Sequence, residues 1–394
     1  MRRILGLCCL LLLGLTGCGF FVPQTSSGGT TNTGDFLYVG NGNNTFIAGF
    51  GVSSSGALSV LPSSPYNNSV AAQSLAVTPS NTFLYAGTTN GIYVYAINTN
   101  GSITVQNSGA SAAQDVIATA MQVDSTGNYL LAAGISTSLQ AQAIGIYQID
   151  ATTGLLTALA SSPLALYTGT VANGTVATAI VVTPTGMLIT PNNSFVYVSL
   201  GSLGVQVLTL GSGGALSTGT PPTFLPPRST STSPADYGLA SNPGSTFLFV
   251  AEINTGLREL SIGTNGTLNE VSGSPYAVGT GPTGVALDVT GSYVYVANKG
   301  SNNISAFTLT AASGKLTAIA GSPFSSGGLL PIALVNDNSK KYVAVINSGA
   351  NGSNNNNDLQ LFSFDATTDG KLDPIATATT GTDPTNPLTL AASH

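Results

Sequence analysis

A short apolar motif that recurs seven times constrains the fold of this chain more than any other feature. Each copy begins with an aromatic residue and continues with apolar residues only. The seven copies are Phe36-Leu-Tyr-Val, Phe83-Leu-Tyr-Ala, Tyr129-Leu-Leu-Ala, Phe195-Val-Tyr-Val, Phe247-Leu-Phe-Val, Tyr293-Val-Tyr-Val and Tyr342-Val-Ala-Val. Successive copies start 47, 46, 66, 52, 46 and 49 residues apart. A period near 45, built from strand-like segments, indicates the blades of a β-propeller rather than a helical solenoid.

Each repeat also carries the signals of three further strands. Apolar segments that precede the aromatic motif are Ser74-Leu-Ala-Val-Thr, Ala120-Met-Gln-Val-Asp, Ala179-Ile-Val-Val-Thr, Gly284-Val-Ala-Leu-Asp and Pro331-Ile-Ala-Leu-Val. An alternating segment such as Ile92-Tyr-Val-Tyr-Ala-Ile follows the motif and leads into a glycine turn that opens the outermost strand. The turn glycines, one per repeat, are Gly56, Gly101, Gly154, Gly214, Gly266, Gly314 and Gly370. Glycine suits this place because a hairpin turn needs a positive φ.

Four strands in each of seven repeats predict an all-β fold, a seven-bladed β-propeller with four-stranded blades. Neighbouring blades cover both faces of each strand, which explains why the aromatic motif shows no polar alternation. Segments such as Ser64-Pro65-Tyr66 are expected to end the outermost strand, where a free edge tolerates proline. The first repeat lacks an innermost strand, and the chain ends with the apolar segment Pro387-Leu-Thr-Leu-Ala-Ala. We expect this C-terminal strand to pair with the N-terminal blade and close the ring.

The residues before the first repeat are predicted to lie outside the propeller. Met1-Arg2-Arg3 is a short basic start, and the apolar run that follows is short for a membrane span. The run ends in Leu15-Thr16-Gly17-Cys18, which resembles a bacterial lipoprotein signal. That resemblance implies cleavage before Cys18 and acylation of this cysteine; an ordinary secretory signal is the alternative. The expected division is a signal peptide at 1–17, a flexible tether at 18–34 and the propeller at 35–394.

Charge and cysteine content narrow the chemistry that the mature chain can perform. The three cysteines, Cys8, Cys9 and Cys18, all lie in or directly after the signal, so the folded body has no thiol for a disulfide, a metal or a nucleophile. Cleavage also removes Arg2 and Arg3, which leaves seven basic residues against 15 acidic ones, a formal net charge of −8. We therefore expect no nucleic acid partner, because phosphates require a basic surface. The expected link to the membrane is the lipid on Cys18.

Common catalytic and metal-binding arrangements are missing from the sequence. His394 is the only histidine, so no Ser-His-Asp triad, Cys-His pair or histidine metal site can be built. Gly279-x-Gly281-x-x-Gly284 matches a dinucleotide fingerprint, but it precedes a strand and is expected to be a loop between blades. Asp365-x-x-x-Asp369-Gly370 lacks the later glutamate of a calcium loop. We predict no metal and no cofactor.

Sequence position predicts which residues reach the end of the channel where propeller loops converge on a ligand. The fifth residue after each opening aromatic is expected to end the second strand at that face: Asn41, Thr88, Gly134, Leu200, Glu252, Asn298 and Asn347. Glu252 is the only charged member, and it is the candidate catalytic residue. The candidate ligand-binding residues in or beside the same loops are Arg228, Asp236, Arg258, Asn298 and Lys299. Asp124 and Asp288 are placed near the opposite face and are expected to be solvated charges.

The repeats resemble the YVTN-type, lactonase-like seven-bladed propellers, a family that includes bacterial 6-phosphogluconolactonases. YVYVANKGSNNISAF…GKLTAIAGSPF, which starts at Tyr293, is similar to the repeat of that family, and the resemblance extends from Asp35 to the C-terminus. It implies an acidic site residue at Glu252. It also places Ala235, Asp236, Asn242 and Ile332 where the family has Arg, His, His and Arg. The resemblance therefore retains the acid and lacks its cationic partners.

Two functional hypotheses remain open. The favoured one is an extracytoplasmic, lipid-anchored propeller that binds a polar small molecule, a glycan or a protein at the channel mouth without turning it over. The alternative is a lactone hydrolase in which Glu252 is the base and nearby cations hold the substrate. A quinoprotein-type dehydrogenase is disfavoured because the chain has no Trp, which that family uses to dock its blades. The lipoprotein resemblance places the protein at the cell envelope, with the outer membrane favoured because Gly19, not Asp, follows Cys18.

Overall fold

The secondary structure consists almost entirely of short antiparallel strands. A computed structural model describes residues 34–42, 45–167, 169–173, 176–218, 223–226, 236–349, 358–380 and 387–393. Within these residues the chain forms 34 strands, named β1 to β34 in chain order, and two single 3-10 turns at Asn107–Gly109 and Ser212–Gly214. No helix in this part of the chain is long and apolar enough to cross a membrane.

The strand bounds follow the predicted repeats. Strands β1 to β13 are Phe36–Asn41, Phe46–Val52, Leu58–Val60, Tyr66–Asn67, Ser74–Val77, Phe83–Thr88, Gly91–Ile97, Ile103–Val105, Val116–Val123, Tyr129–Ser136, Ala141–Ile149, Leu156–Ala158 and Leu164–Ala165. Strands β14 to β24 are Gly169–Asn173, Val176–Ile180, Gly186–Ile189, Phe195–Ser199, Val205–Leu210, Leu216–Ser217, Thr223–Leu225, Asp236–Ser241, Phe247–Glu252, Gly256–Ile262 and Leu268–Glu270. Strands β25 to β34 are Pro282–Leu287, Tyr293–Asn298, Asn303–Thr310, Lys315–Ala318, Phe324–Ser325, Pro331–Asn336, Tyr342–Asn347, Leu359–Phe364, Leu372–Ala378 and Pro387–Ala392.

Seven of the sheets are blades, numbered 1 to 7 here in the order of their aromatic motifs. In every blade the aromatic motif forms the second strand from the centre, as the repeat pattern predicts. From the outer to the inner edge the strand orders are β3-β2-β1-β34, β8-β7-β6-β5, β12-β11-β10-β9, β19-β18-β17-β16, β24-β23-β22-β21, β28-β27-β26-β25 and β33-β32-β31-β30. The predicted all-β, seven-bladed propeller with four-stranded blades is confirmed.

The two ends of the chain close the ring in blade 1. The C-terminal strand β34 pairs antiparallel with β1, with Leu37 opposite Ala392 and Val39 opposite Leu390. The innermost strands β5, β9, β16, β21, β25, β30 and β34 contact one another in a closed circle around the central channel. This pairing confirms the predicted closure and leaves β1 without an open inner edge.

Blade 4 differs from the prediction in its innermost strand. The segment Ala179-Ile-Val-Val-Thr is expected to fill that place, but Val176–Ile180 pairs with Gly169–Asn173 in a separate two-stranded sheet. The innermost strand is instead β16, Gly186–Ile189, which pairs with β17. The expectation is wrong because the long spacing before Phe195 holds an inserted hairpin, and both apolar segments meet the composition of a buried strand.

The outermost strand of several blades consists of two pieces, contrary to the expectation that Ser-Pro-aromatic ends it. In blade 1, β3 and β4 both pair with β2, and Ser64 and Pro65 lie between them. The break leaves the N–H of Gly49 on β2 without a strand partner, and the Ser64 hydroxyl accepts a hydrogen bond from it at 2.9 Å. Ser162, Ser274 and Ser322 accept in the same way from Ile146, Glu259 and Ala306.

The seven turn glycines join each blade to the blade before it. All of them adopt a positive φ between +71° and +79°, which confirms the predicted turn. Gly101 of blade 2 lies against the ring of Phe36 in blade 1, where a Cβ would meet the ring at 2.5 Å, and Gly56 closes the circle against Tyr342 of blade 7. The hydroxyl of Tyr38 donates to the carbonyl of Gly101 at 2.7 Å. Only a glycine combines this backbone conformation with so close an approach.

A short polar side chain caps the turn between the first and second strands of blades 2 to 7. The cap stands five residues before the opening aromatic residue. Its side-chain oxygen accepts a hydrogen bond from the backbone N–H of that aromatic residue at 2.7–3.0 Å. The six caps are Thr78, Asp124, Thr190, Asn242, Asp288 and Asp337. In blade 1 the backbone N–H of Phe36 donates instead to the hydroxyl oxygen of Ser393, at the opposite end of the chain.

These caps correct the expectation that Asp124 and Asp288 are solvated charges. Asp124 is 3% exposed and Asp288 is 7% exposed. Asp124 also accepts from the N–H of Asn128, and Asp288 from that of Thr290. The prediction is wrong because a carboxylate that accepts several backbone N–H bonds is stabilised inside a turn, although turns of this kind lie near the surface.

Candidate functional site

The channel has two ends, and different parts of the blades form each of them. The upper end is defined here by the ends of the second strands, at residues such as Asn41, Thr88 and Glu252. The lower end is where the innermost strands turn into the second strands, at the caps described above. The predicted site residues belong to the upper end, so their side chains decide whether a reactive centre lies there.

Glu252 ends β22, as predicted, but its side chain is fully buried. Leu248 and Val250 on the same face of β22 pack against Phe195 and Tyr197 of blade 4. Because side chains alternate along a strand, Glu252 also points toward blade 4 rather than into the channel. Its Oε1 atom lies 3.4 Å from Nη1 of Arg258, which stands on the neighbouring strand β23.

Arg258 is 4% exposed and has three partners in two blades. Its Nη1 atom donates to the carbonyl oxygen of Pro226 at 3.0 Å, directly after the strand β20 of blade 4. Its Nε atom lies 3.5 Å from Oε1 of Glu270 on the outermost strand of blade 5. The guanidinium is thus held between two carboxylates and a carbonyl, and it ties blade 5 to blade 4.

The structure brings one more predicted residue close to Glu252 along the backbone. Asp236, the first residue of β21, stands opposite Glu252 in the register of the two strands. Only the backbone of Asp236 is described. Arg228 lies outside the described residues, as does Cys18.

Asn298 and Lys299 lie in blade 6 and do not join the ion pair. Asn298 is fully buried, and its NH₂ group donates to Asn303 at 2.8 Å and to Ser305 at 2.9 Å. Lys299 is half-buried, and its backbone N–H donates to the carbonyl of Gly281 at 2.9 Å. Within the described residues no ion pair involves Lys299. Gly279 and Gly281 lie in the loop between β24 and β25, as predicted, whereas Gly284 already lies in β25.

The other members of the second-strand ring are also buried. Asn41, Thr88, Asn347 and Leu200 are at most 1% exposed. Asn41 exchanges hydrogen bonds with Thr380, whose hydroxyl also donates to Asp358. The ring therefore holds blades together at the upper end and offers no exposed carboxylate among these described residues.

Glu259 is a buried acid that the sequence does not single out. It follows Arg258 but faces blade 6, with its Oε1 atom near Gly314 and the ring of Phe247. Burial raises its pKa to about 8, and the hydroxyl of Tyr276 opposes that rise. The sequence signal for this buried acid is the pair of adjacent ionisable residues, Arg258 and Glu259, inside the otherwise apolar third strand of blade 5. Because side chains alternate along a strand, the two residues face opposite sides of the blade.

The asparagine that the family resemblance matches to a histidine has a structural place. Asn242 caps the turn before Phe247 at the lower end of the channel, and its Oδ1 accepts from the N–H groups of Thr246 and Phe247. Across the part of the chain that the structure describes, no group of three or more His, Cys, Asp or Glu residues could hold a metal ion.

Comparison with known proteins identifies relatives of the chain. The family model "Lactonase, 7-bladed beta-propeller" matches residues 33–173 and 186–386. No curated protein sequence matches the chain.

Several solved structures share the fold. A candidate 6-phosphogluconolactonase of Bacteroides fragilis is 19% identical with a TM-score of 0.68, over 93% of this chain and 100% of that one. The periplasmic gluconolactonase of Pseudomonas aeruginosa is 17% identical with a TM-score of 0.67, over 91% of this chain and 99% of that one. A protein of Lactobacillus plantarum is 19% identical with a TM-score of 0.65, over the same shares. At these identities the likeness shows the fold alone.

Proposed function

The chain belongs to the lactonase family of seven-bladed β-propellers, and from that premise we propose that it is a binding member of the family. It holds a ligand at a mouth of its channel and does not hydrolyse lactones. The observation that carries this proposal is the position of Glu252, which is fully buried between blades and paired with Arg258.

The chemistry of lactone opening supports the same proposal. A base must reach the attacking water or the substrate within hydrogen-bond distance, and a donor must face the developing oxyanion. The Glu252 carboxylate is shielded from both, and Arg258 donates through Nη1 to Glu252 and to the carbonyl of Pro226 and lies beside the carboxylate of Glu270. Within the described residues this acid and this cation serve the contact between blades 4 and 5.

Lactone hydrolysis is the second candidate function, and the family match favours it. In that case Glu252 would act as the base, and Arg258, Arg228 or Lys299 would hold an anionic substrate. Such a mechanism requires the ion pair to open so that the carboxylate reaches the channel.

Two variants separate the hypotheses in an assay of 6-phosphogluconolactone and glucono-δ-lactone hydrolysis. Glu252→Gln removes the candidate base, and Glu270→Gln is its matched control because Glu270 also contacts Arg258 but stands on the outermost strand. We expect the wild-type protein and both variants to leave the uncatalysed rate unchanged. Turnover by the wild type that Glu252→Gln abolishes and Glu270→Gln retains would establish the hydrolase instead.

We also propose that the protein is carried to the cell envelope and anchored by lipid on Cys18. The lipoprotein-like segment Leu15-Thr16-Gly17-Cys18 and the polar, glycine-rich stretch after it support this location. The favoured membrane is the outer one, and the propeller would then meet its ligand, whether a polar small molecule, a glycan or a protein, outside the cytoplasm.

A further inference from the structure

A cavity of about 580 Å³ lies at the lower end of the channel, away from the predicted site residues. Its wall comes from the last residues of the innermost strands of blades 3 to 7, with Pro79 from the turn of blade 2. This volume lies within the range of about 300–1,000 Å³ that is usual for small-molecule sites. Every residue of the wall belongs to the described part of the chain.

The wall of this cavity is largely aliphatic and carries no charge. Its 18 lining residues include no Asp, Glu, Lys, Arg or His. The aliphatic part is formed by Leu188, Leu239, Val285, Leu287, Leu334 and Val335. An apolar surface of this kind favours a ligand with an aliphatic body, because binding removes apolar area of both the ligand and the cavity wall from water.

Polar groups at one level of the cavity can hold the other end of such a ligand. Gln122 accepts a hydrogen bond from the N–H of Ile189 with its side-chain carbonyl, at 2.8 Å, which directs its NH₂ group elsewhere. Asn336 donates with its NH₂ group to the carbonyl of Leu287. Its Oδ1 atom and the hydroxyl oxygen of Ser241 have no hydrogen-bond partner among the described residues, but both atoms are buried and do not face the cavity. The NH₂ group of Gln122 is therefore the donor that the wall offers to the polar end of a ligand.

The nearest carboxylates make an anionic ligand unfavourable here. Asp124, Asp288 and Asp337 directly follow the innermost strands that line the cavity, and all three are buried. Their oxygens accept backbone N–H bonds within the turns. No cation lines the wall, so a ligand carboxylate or phosphate would lose its hydration without a compensating partner.

We propose that the lower end of the channel binds an uncharged molecule with an aliphatic body and a hydrogen-bonding head, such as an amide or alcohol. This proposal rests on the proposed binding function and names its ligand class. It differs from the polar sugar lactone that the second candidate function places at the upper end.

The test uses purified full-length protein and the uncharged dye N-phenyl-1-naphthylamine, whose fluorescence rises in an apolar site. We expect saturable dye binding, and we expect decanamide to displace the dye at least tenfold more tightly than decanoate, which has the same chain length and carries a negative charge. Absence of saturable binding, or equal displacement by a charged competitor, overturns the proposal.

A variant locates the site. Gln122→Glu keeps the carbonyl-type acceptor for Ile189 and adds one negative charge to the wall, and Gln114→Glu adds the same charge at an exposed position. We expect Gln122→Glu to weaken decanamide binding at least threefold, with an unchanged thermal melt, and Gln114→Glu to have no effect. Acyl chains on Cys18 would take up dye equally in both variants, so equal affinities overturn the proposal.

The outcome is independent of the lactone assay. Decanamide binding together with lactone turnover contradicts the non-hydrolytic function and supports this site. If the protein shows no lactone turnover and no saturable binding, the proposed site is overturned and the non-hydrolytic function stays in place.

Discussion

The carboxylate of Glu252 lies where blades 4 and 5 meet, and its partner Arg258 compensates its buried charge. A charge in this position needs a compensating group because it has lost its hydration. Arg258 supplies that compensation and in turn uses Glu270 and the Pro226 carbonyl. The pair is therefore best understood as part of the interface between blades 4 and 5.

Removing this carboxylate should weaken the fold. We expect Glu252→Ala to lower the free energy of unfolding by about 3 kcal/mol, the lower end for breaking a buried pair, because Glu270 still faces Arg258. The matched control is Lys371→Ala, which breaks the two ion pairs of a lysine whose side chain is 34% exposed, and it should cost much less because solvent screens such pairs. Urea denaturation measures both. Equal losses of unfolding free energy in the two variants would show that Glu252 contributes no more to stability than an exposed ion pair.

The buried acid Glu259 should make stability depend on pH. The unfolded chain releases this proton near the ordinary pKa of 4.5, whereas the folded protein keeps it until about pH 8. Between these values the unfolded state binds fewer protons, so the free energy of unfolding falls as pH rises. We expect Glu259→Gln to remove this loss in denaturation series from pH 4 to 9.

Asp369→Asn is the control for that series because Asp369 is exposed. Its stability should follow the wild type at every pH. A wild-type curve parallel to that of Glu259→Gln would mean that Glu259 titrates normally in the folded protein.

The environment of a single residue is the hardest property to predict from the sequence. The repeat pattern correctly places Glu252 at the end of a second strand, but whether its side chain faces the channel or a neighbouring blade depends on packing between distant repeats. For Asp124 and Asp288 the pattern predicts solvated charges, because a turn position gives no sign of how many backbone N–H groups converge on a carboxylate.

At the scale of elements, the cap five residues before each opening aromatic is the signal that identifies the innermost strand. In blade 4, Thr190 stands five residues before Phe195 and directly follows β16. Thr183, which ends the segment expected there, does not. Strand composition alone cannot separate the inserted hairpin from the blade strand, whereas the cap spacing can.

The glycine turns are the elements that interlock successive blades. Gly314 has a φ of +73°, and a Cβ there would lie 2.6 Å from the ring of Phe247 and 2.9 Å from Oε1 of Glu259. We expect Gly314→Ala to cost about 1–2 kcal/mol for the positive φ and a further 1–3 kcal/mol or so for the overpacking.

Gly109→Ala isolates the first of these two costs. Gly109 has a φ of +79°, but nothing lies within 4 Å of the position that an added Cβ would occupy. Its midpoint of thermal unfolding should therefore fall less than that of Gly314→Ala. Similar shifts would indicate that contact between blades adds nothing to the glycine requirement.

At the scale of the whole molecule, the sequence predicts the fold closely. A motif repeated seven times specifies the number of blades, and an unpaired strand at each end specifies ring closure. Both are confirmed because they depend on a pattern that every repeat shares. The cavity at the lower end depends on how the innermost strands of blades 3 to 7 converge, which no single repeat reveals.

Anchoring by lipid is testable on the whole chain. We expect wild-type protein expressed in a bacterium that processes lipoproteins to incorporate labelled palmitate and to sediment with membranes. Cys18→Ala should abolish both, and Cys9→Ala, which changes a cysteine inside the expected signal, should retain both. Labelling of Cys18→Ala would contradict the proposed anchor.

The rate of 6-phosphogluconolactone hydrolysis by the wild-type protein tests the central claim most directly. The claim is that this lactonase-family propeller uses its acid and cation for structure and its channel for binding. It predicts a rate equal to that of buffer alone at every protein concentration. A rate that rises in proportion to protein concentration, and that Glu252→Gln abolishes, would contradict it.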